Sequence, residues 1–341
     1  MAKPRKLRLD DVARACGVSV ATVSRALSGA GGVRAELEAQ IRAAAQGLRY
    51  TAPPSLAGCQ VVVLASAAAM LDAARSQFTH GVMAGLTDRA ATLQITLATR
   101  AVTSPQDEAQ ALAEAAADPA VAGLLFLTLD DAAMLAPTRS FPKPIVLVNG
   151  DDPLMRLSSV APCNRAAAAL ATDHLIGLGH QRILFLMRPG RRTIERRREG
   201  WRDRMGAGAD PSLVVEVADW LPDLAARAIA ARLEQARDFT AILAAGDSLA
   251  FGALQALRGA GIVVPDEISV MGMDGLPQGA FQTPPLSAMR MPMAEIGAAA
   301  LDLLRDLITG PPGPARRIEL ACARVEGGSC GRAPNGAQPA P

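Results

Sequence analysis

Aromatic residues are scarce in this chain of 341 residues, at 3% of the composition. The core must therefore be aliphatic, and few side chains are available to stack on a ligand. Histidine is scarcer still, at three residues, which leaves little scope for His-based metal binding or catalysis. The five cysteines (Cys16, Cys59, Cys163, Cys322, Cys330) are odd in number and scattered, with no CxxC pair. Neither a disulfide framework nor a zinc site is indicated. No metal or cofactor is expected. No apolar run approaches the ~20 residues of a membrane-spanning helix. The first nine residues are basic but lack the apolar stretch of a secretion signal. A cytoplasmic protein with no membrane partner is expected. The sequence also lacks a GxxxxGK[ST] phosphate loop, a GxSxG elbow, an HExxH pair and a dinucleotide-binding glycine fingerprint. No catalytic residue is proposed, and an enzyme is the weakest functional class.

What is present is uneven charge. The net charge is only +2, but residues 1–58 hold nine Lys/Arg against four Asp/Glu, and the remainder holds 26 against 29. A small basic head on a mildly acidic body points to an anionic partner at the head.

The pattern along the chain divides in the same place. Three short helical patterns run up to about residue 50, and a Pro-containing linker covers 51–59. From residue 60, apolar runs alternate with amphipathic helical stretches. The runs are Val61–Ala65, Leu93–Ala98, Val121–Leu127, Ile145–Val148, Ile183–Met187, Leu213–Val217, Ala241–Ala245 and Ile268–Gly272. The intervening helices are expected near 74–90, 105–117, 164–178, 222–236, 247–260 and 293–309. Apolar, non-alternating strands between helices argue for parallel sheets covered on both faces, in one large sheet or two lobes. Crossings between lobes are expected near Asn149–Pro162 and at Met289–Pro292. This divides the body into 60–160 with 290–325, and 161–289. One last strand is expected over Arg317–Val325, and a disordered tail over 331–341.

In the head, Asp10 is a plausible helix cap and Val12, Ala13 and Cys16 form an apolar stripe. Gly17 ends that helix, and Ser19 caps a second whose buried face carries Val23 and Leu27. Two short helices joined by a tight turn make a helix-turn-helix, whose second helix enters the major groove of DNA. Val20, Ala21 and Arg25 then face outward. Arg25 suits a guanine edge, and Val20 and Ala21 suit thymine methyls. Ser19, Thr22, Ser24 and the helix N-terminus suit phosphates.

Asp11-Val-Ala13 followed by Gly17-Val-Ser-Val-Ala-Thr-Val-Ser-Arg25 resembles the head of the lactose/galactose repressor (LacI) family, and the likeness continues through Val33, Ile41, Ala44 and Leu48-Arg-Tyr50. In the body it runs through His174–His180, Gly200-Trp201, Asp247–Gly252, Val264–Gly272 and Pro284–Leu286. The resemblance implies a regulator that reads a palindromic operator as a homodimer. Its body would have the two-lobed, doubly wound fold of periplasmic sugar-binding proteins, with a small-molecule effector between the lobes. By position it assigns Phe78, Asn149, Arg197, Trp220, Asp247 and Asp274 to the effector, and Leu56 to a hinge leucine that wedges into the minor groove. Four departures bear on function. Leu56 follows Tyr50 by six residues where the family has nine, with Pro53 and Pro54 between, and proline is poor inside a helix. Gly246-Asp247 replaces Asn-Asp, Cys163-Asn164 replaces Asp-Asn, and Asp274-Gly275 replaces Asp-Asp. The effector is expected to be a sugar. The clustered Arg191, Arg192, Arg196, Arg197 and Arg198 favour a sugar acid. The alternative is a body without an effector site and a head that binds DNA constitutively.

Overall fold

The computed structural model describes residues 9–28, 32–48, 56–71, 76–130 and 132–334. The head is three helices: α1 (Leu9–Cys16), α2 (Val20–Ser28) and α3 (Ala35–Gly47). Its core is small: Val12, Ala13, Val23, Ala26, Ile41 and Ala45, with Leu27 and Val33 packed against it. Gly17 adopts φ +63, a left-handed turn that a side chain resists, and the Val18 amide closes it onto the Ala13 carbonyl at 3.1 Å. Arg42 on α3 donates to the last-turn carbonyl of Ala26 at 3.0 Å while bridging Glu38, so one side chain fixes α2 against α3.

The body is two lobes. The first is built from β1 (Gln60–Ser66), α4 (Ala67–Leu71), α5 (Gln77–Leu93), β2 (Thr96–Val102), α6 (Pro105–Ala117), β3 (Val121–Leu127), α7 (Ala132–Leu135), β4 (Ile145–Val148) and β5 (Ser158–Pro162). The second follows with α8 (Asn164–Gly177), β6 (Ile183–Met187), α9 (Arg192–Met205), β7 (Val214–Glu216), α10 (Pro222–Gln235), β8 (Ala241–Ala244), α11 (Asp247–Gly259), β9 (Ser269–Gly272) and β10 (Ser287–Arg290). The chain then returns to the first lobe with α12 (Met293–Thr309) and β11 (Arg317–Leu320), and ends in the second with β12 (Ala323–Val325). The sheet orders are β11-β5-β4-β3-β1-β2 and β12-β10-β9-β8-β6-β7, parallel throughout except β10 with β12. Strands β4, β6 and β8 are buried at every residue, as sheets covered on both faces require. The return of α12 depends on close approach. A Cβ on Gly85 of α5 would stand 1.9 Å from the Ala294 carbonyl oxygen, and one on Gly297 would stand 2.2 Å from that of Val82.

Several elements differ from the sequence expectation. The run Leu93–Ala98 is not one strand. Helix α5 continues to Leu93, Gln94 takes a left-handed cap, and β2 begins at Thr96. The stretch Arg192–Met205 is helical although its apolar content is low; only Ile194 and Trp201 give it large buried apolar side chains. Residues 158–162 are a strand of the first lobe, so the first crossing falls later than expected, at Cys163. The expected strand 317–325 is two strands in different sheets, with a third crossing at Ala321–Cys322. Residues 331–334 belong to the second lobe: the Ala333 amide bonds the Leu178 carbonyl at 2.9 Å, and the Gly331 amide bonds Ser269 Oγ at 3.0 Å. Of the expected tail, 335–341 lie outside the described residues.

His180 holds this segment down. It is buried, with Nδ1 2.9 Å from Thr240 Oγ1 and Nε2 3.1 Å from both Ser269 Oγ and the Gly331 carbonyl. The carbonyl can only accept, so Nε2 carries the proton, and in the neutral ring Nδ1 accepts from the Thr240 hydroxyl. Burial lowers its pKa. A base with a lowered folded pKa stabilises the fold above about pH 6.5 and loses that contribution as the pH falls through its folded value. His180→Ala should therefore cost about 2 kcal/mol at pH 7.5, a fall in Tm of about 4–8 °C. The gap from wild type should narrow as the pH drops below 6. Calorimetry on both proteins across pH 5–8 checks this, and a pH-independent gap would contradict it.

Candidate DNA-reading face and interlobe cleft

On the head, the outward face of α2 is the one the sequence marks. The Thr22 amide donates to Ser19 Oγ at 3.1 Å, which makes Ser19 the cap, and the two hydroxyls lie 2.8 Å apart. Ser19, Val20, Ala21, Ser24 and Arg25 are exposed and Thr22 is half-buried. Val20 is an apolar side chain 40% exposed at the first turn, which the packing of the head does not require. Arg25 lies along the helix, its Nε 3.3 Å from the Ala21 carbonyl.

Leu56 is elsewhere. It is 7% exposed and packs with the first-lobe core formed by Val61, Val82, Leu86 and Ile95. Its carbonyl accepts from the Cys59 amide at 2.9 Å, and the Gly58 amide reaches across to the Gln94 carbonyl. Here the leucine is packed into the body rather than exposed as a minor-groove wedge would be. Pro53 and Pro54 lie outside the described residues.

The second site is a cavity of about 200 Å³ between the lobes. Phe78, Asn149, Arg197, Trp220 and Asp274 all line it, brought together from α5, the end of β4, α9, the loop before α10 and the end of β9. Thr128, unmarked in the sequence, joins them from the end of β3. Thr128 and Asn149 both take left-handed backbone, at φ +60 and +51. For a β-branched threonine that conformation costs of order 1–3 kcal/mol and tends to occur at functional sites. Thr128 Oγ1 and Asn149 Oδ1 are buried with no hydrogen-bond partner.

Arg197 is 3% exposed and heavily held. Its Nε donates to Asn164 Oδ1 at 2.8 Å, and its Nη1 to the carbonyls of Ala245 and Met273, with Asp274 Oδ1 at 3.4 Å. Asn164 therefore positions Arg197, a role its residue type did not reveal. Trp220 and Asp274 crowd over Gly246, where a Cβ would stand 3.0 Å from each. The glycine that replaces asparagine makes room for an aromatic face rather than only removing a polar group.

Asp247 does not line the cavity. It is 1% exposed and accepts from the amides of Asp274 at 3.1 Å and Leu276 at 2.7 Å, while its own amide donates to Asp274 Oδ2 at 2.9 Å. It supports the loop that presents Asp274. Burial, then the negative charge of Asp274, pushes its pKa up to about 7. Burial also raises Asp274, against the lowering effect of Arg197.

The arginine cluster is largely engaged within the protein. Arg196 and Arg317 both pair with Asp151, Arg191 with Asp130 at 3.1 Å, Arg192 with Glu199 at 2.8 Å and Arg198 with Glu195 at 2.7 Å. Arg191 and Arg196 thereby tie the second lobe to acids of the first. The positive charge that favoured an acidic ligand is met by protein carboxylates, which a sequence reading could not pair. Among the described residues no group of three or more His, Cys, Asp or Glu could hold a metal ion.

Comparison with known proteins agrees with both halves. Residues 8–53 match the family described as bacterial regulatory proteins, lacI family, and residues 172–330 match the periplasmic binding protein-like domain. The chain is 32% identical over 342 residues to the HTH-type transcriptional regulator MalR of Streptomyces coelicolor, covering 96% of this chain and 97% of that protein. It belongs to the LacI family of DNA-binding transcriptional regulators. Among other LacI-family relatives, the ribose operon repressor of Escherichia coli is 29% identical over 94% of this chain and 99% of its own. The solved complex of the regulator CelR with cellobiose superposes with a TM-score of 0.71 at 25% identity, covering 95% of this chain and 99% of that one. The lac repressor dimer bound to operator and an anti-inducer gives the same TM-score at 24% identity, covering 95% and 99%, and shares the fold. The chain is thus a transcriptional regulator that binds operator DNA, and its relatives carry the names of regulators, not enzymes. Among the described residues no helix is long and apolar enough to cross a membrane.

Proposed function

We propose that this regulator is a homodimeric repressor of a palindromic operator, controlled by an uncharged sugar bound between its lobes. The observation that carries the effector reading is the pair of unpartnered buried oxygens, Thr128 Oγ1 and Asn149 Oδ1, facing a cleft that also presents Trp220 and Phe78. Hydroxyls would satisfy the oxygens, and a ring would lie on an apolar face. Arg197 and Asp274 balance each other's charge and can each bond paired hydroxyls. A cavity of about 200 Å³ suits one sugar ring, with a longer saccharide extending toward solvent. CelR, the relative with cellobiose, makes a glucoside the first compound to try.

A thermal-shift screen tests this. Cellobiose, maltose, ribose, glucuronate and galacturonate would each be added to purified protein. A neutral sugar should raise Tm by several degrees. A response confined to the acids would favour the sugar-acid reading, and no response to any sugar would favour the constitutive one. Gly246→Asn should abolish the response by at least tenfold in affinity, since its Cβ displaces Trp220 and Asp274. Isothermal titration of both proteins with the responding sugar checks it.

On DNA, α2 would lie in the major groove, with Arg25 on a guanine, Val20 and Ala21 on thymine methyls, and Ser19, Thr22 and Ser24 on phosphates. Arg25→Ala should cost about 1–3 kcal/mol and relax preference at one base pair of each half-site. Equal loss on all sequences would instead mark Arg25 as a phosphate contact. Selection of duplexes from a random library, followed by affinity measurement on single-base variants, separates these outcomes.

A further inference from the structure

The three segments that cross between the lobes each carry a sulfur. Cys163 is the whole of the first crossing, between β5 and α8. Met291 begins the second, between β10 and α12, and Cys322 ends the third, between β11 and β12. Two of the sulfurs meet, and the third is beside them. Cys322 Sγ lies 3.2 Å from Met291 Sδ and 3.9 Å from the Leu320 carbonyl oxygen. The backbone brings them together because the β5–β11 pairing continues into the crossings: Pro162 is in register with Leu320, and the Cys163 amide donates to the Leu320 carbonyl at 2.8 Å.

We propose that Cys163 and Cys322 form a peroxide-oxidisable dithiol that closes into a disulfide and staples the first crossing to the third. Neither the family comparison nor the effector reading assigns these cysteines a role, and the proposal does not depend on which molecule fills the cleft.

The chemistry around the pair fits. The neighbouring Cys322 lowers the Cys163 pKa to about 6, and Cys163 together with burial raises that of Cys322. Burial and Glu319 oppose the first shift, and the nearby Arg197 charge opposes the second. A thiolate beside a protonated thiol is the arrangement of an attacking and a resolving cysteine. Cys330, by contrast, is pushed up to about 11 by burial. In the first step the Cys163 thiolate attacks one oxygen of a hydroperoxide. The O–O bond breaks, the leaving oxygen takes up a proton as an alcohol or water, and Cys163 becomes a sulfenic acid. Cys322 then attacks that sulfur. The S–S bond forms as the S–O bond breaks, and hydroxide leaves with the Cys322 proton as water. Two thiols lose two electrons, and one peroxide is reduced.

The position gives the bond a consequence. Asn164, next to Cys163, holds the cleft residue Arg197, so a staple here fixes both the hinge and one wall of the cleft. The test uses the full chain and one equivalent of hydrogen peroxide. Free thiols measured after denaturation should fall from five to three, and peptide mapping should join Cys163 to Cys322. Closing so long a loop should raise Tm by about 5 °C or more, reversibly with dithiothreitol. In C322S, and in C322A as a check on folding, no linkage should form and dimedone should trap Cys163 as the sulfenic acid. Oxygen added to Met291 with both thiols intact, or linkages scattered among the five cysteines, would overturn the proposal. So would a Cys163–Cys322 bond that left Tm unchanged. Thiol loss reversed by a Cu(I) chelator and not by dithiothreitol would assign the three sulfurs to a soft metal ion instead.

Discussion

Arg197→Met should lower the Tm of the body by about 10 °C and abolish its response to sugar. The side chain is 3% exposed and supplies donors to Asn164 Oδ1 and to the carbonyls of Ala245 and Met273. Methionine matches much of its length but leaves those acceptors empty. It also leaves the half-buried Asp274 carboxylate without the positive charge of Arg197, which lowers its pKa. Breaking a buried pair by removing one partner typically costs about 3–5 kcal/mol, about 2–4 °C per kcal/mol for domains of this size. Operator binding at 20 °C should survive, because the head has its own core. Calorimetry with and without sugar, and operator affinity at 20 °C, test the three parts separately. An arginine that merely belonged to the solvated run 196–198 would change Tm by less than a degree or two.

Leu56→Ala should behave as a core mutation of the body rather than as a DNA-contact mutation. Truncating a buried leucine costs about 2–5 kcal/mol, which predicts a fall in Tm of about 5–10 °C. The affinity of folded protein for operator should stay within a few-fold of wild type. A minor-groove wedge predicts the reverse: an unchanged Tm, a large loss of affinity and loss of any DNA bend. Calorimetry and a gel assay of bend angle on the same preparation distinguish the two, and Leu56→Asp should enlarge whichever effect is observed.

Much of this architecture is legible in the sequence because the physics is local. Val121–Leu127 and Ile145–Val148 read as buried strands since both faces are covered, so the pattern is apolar at every position. Gly17 and Ser19 mark the turn of the head because one backbone conformation and one cap suit them. What escapes the sequence depends on partners far along the chain. The run 317–325 reads as one strand because nothing local says that its halves join different sheets. The arginines of α9 read as an unmatched positive field until Asp130, Asp151, Glu195 and Glu199 are placed beside them. Asp247 and Asp274 look equivalent as acids. Only the fold turns one inward onto the backbone and leaves the other at the cleft. Thr128 carries no signal at all, since a threonine after an apolar strand is ordinary; its left-handed backbone and unpartnered hydroxyl are tertiary facts. The lone leucine after two prolines is the opposite case. The short spacing was visible, and the burial of Leu56 in the first lobe was not.

The most direct test of a sugar-controlled repressor is the affinity for a selected operator duplex, measured by fluorescence anisotropy with and without a saturating neutral sugar from the thermal screen. Coupling between cleft and head predicts that the dissociation constant changes by at least tenfold, and that the operator shifts the affinity for sugar by the same factor. A sugar that raises Tm but leaves operator affinity unchanged would contradict the account, separating the cleft from control of the head.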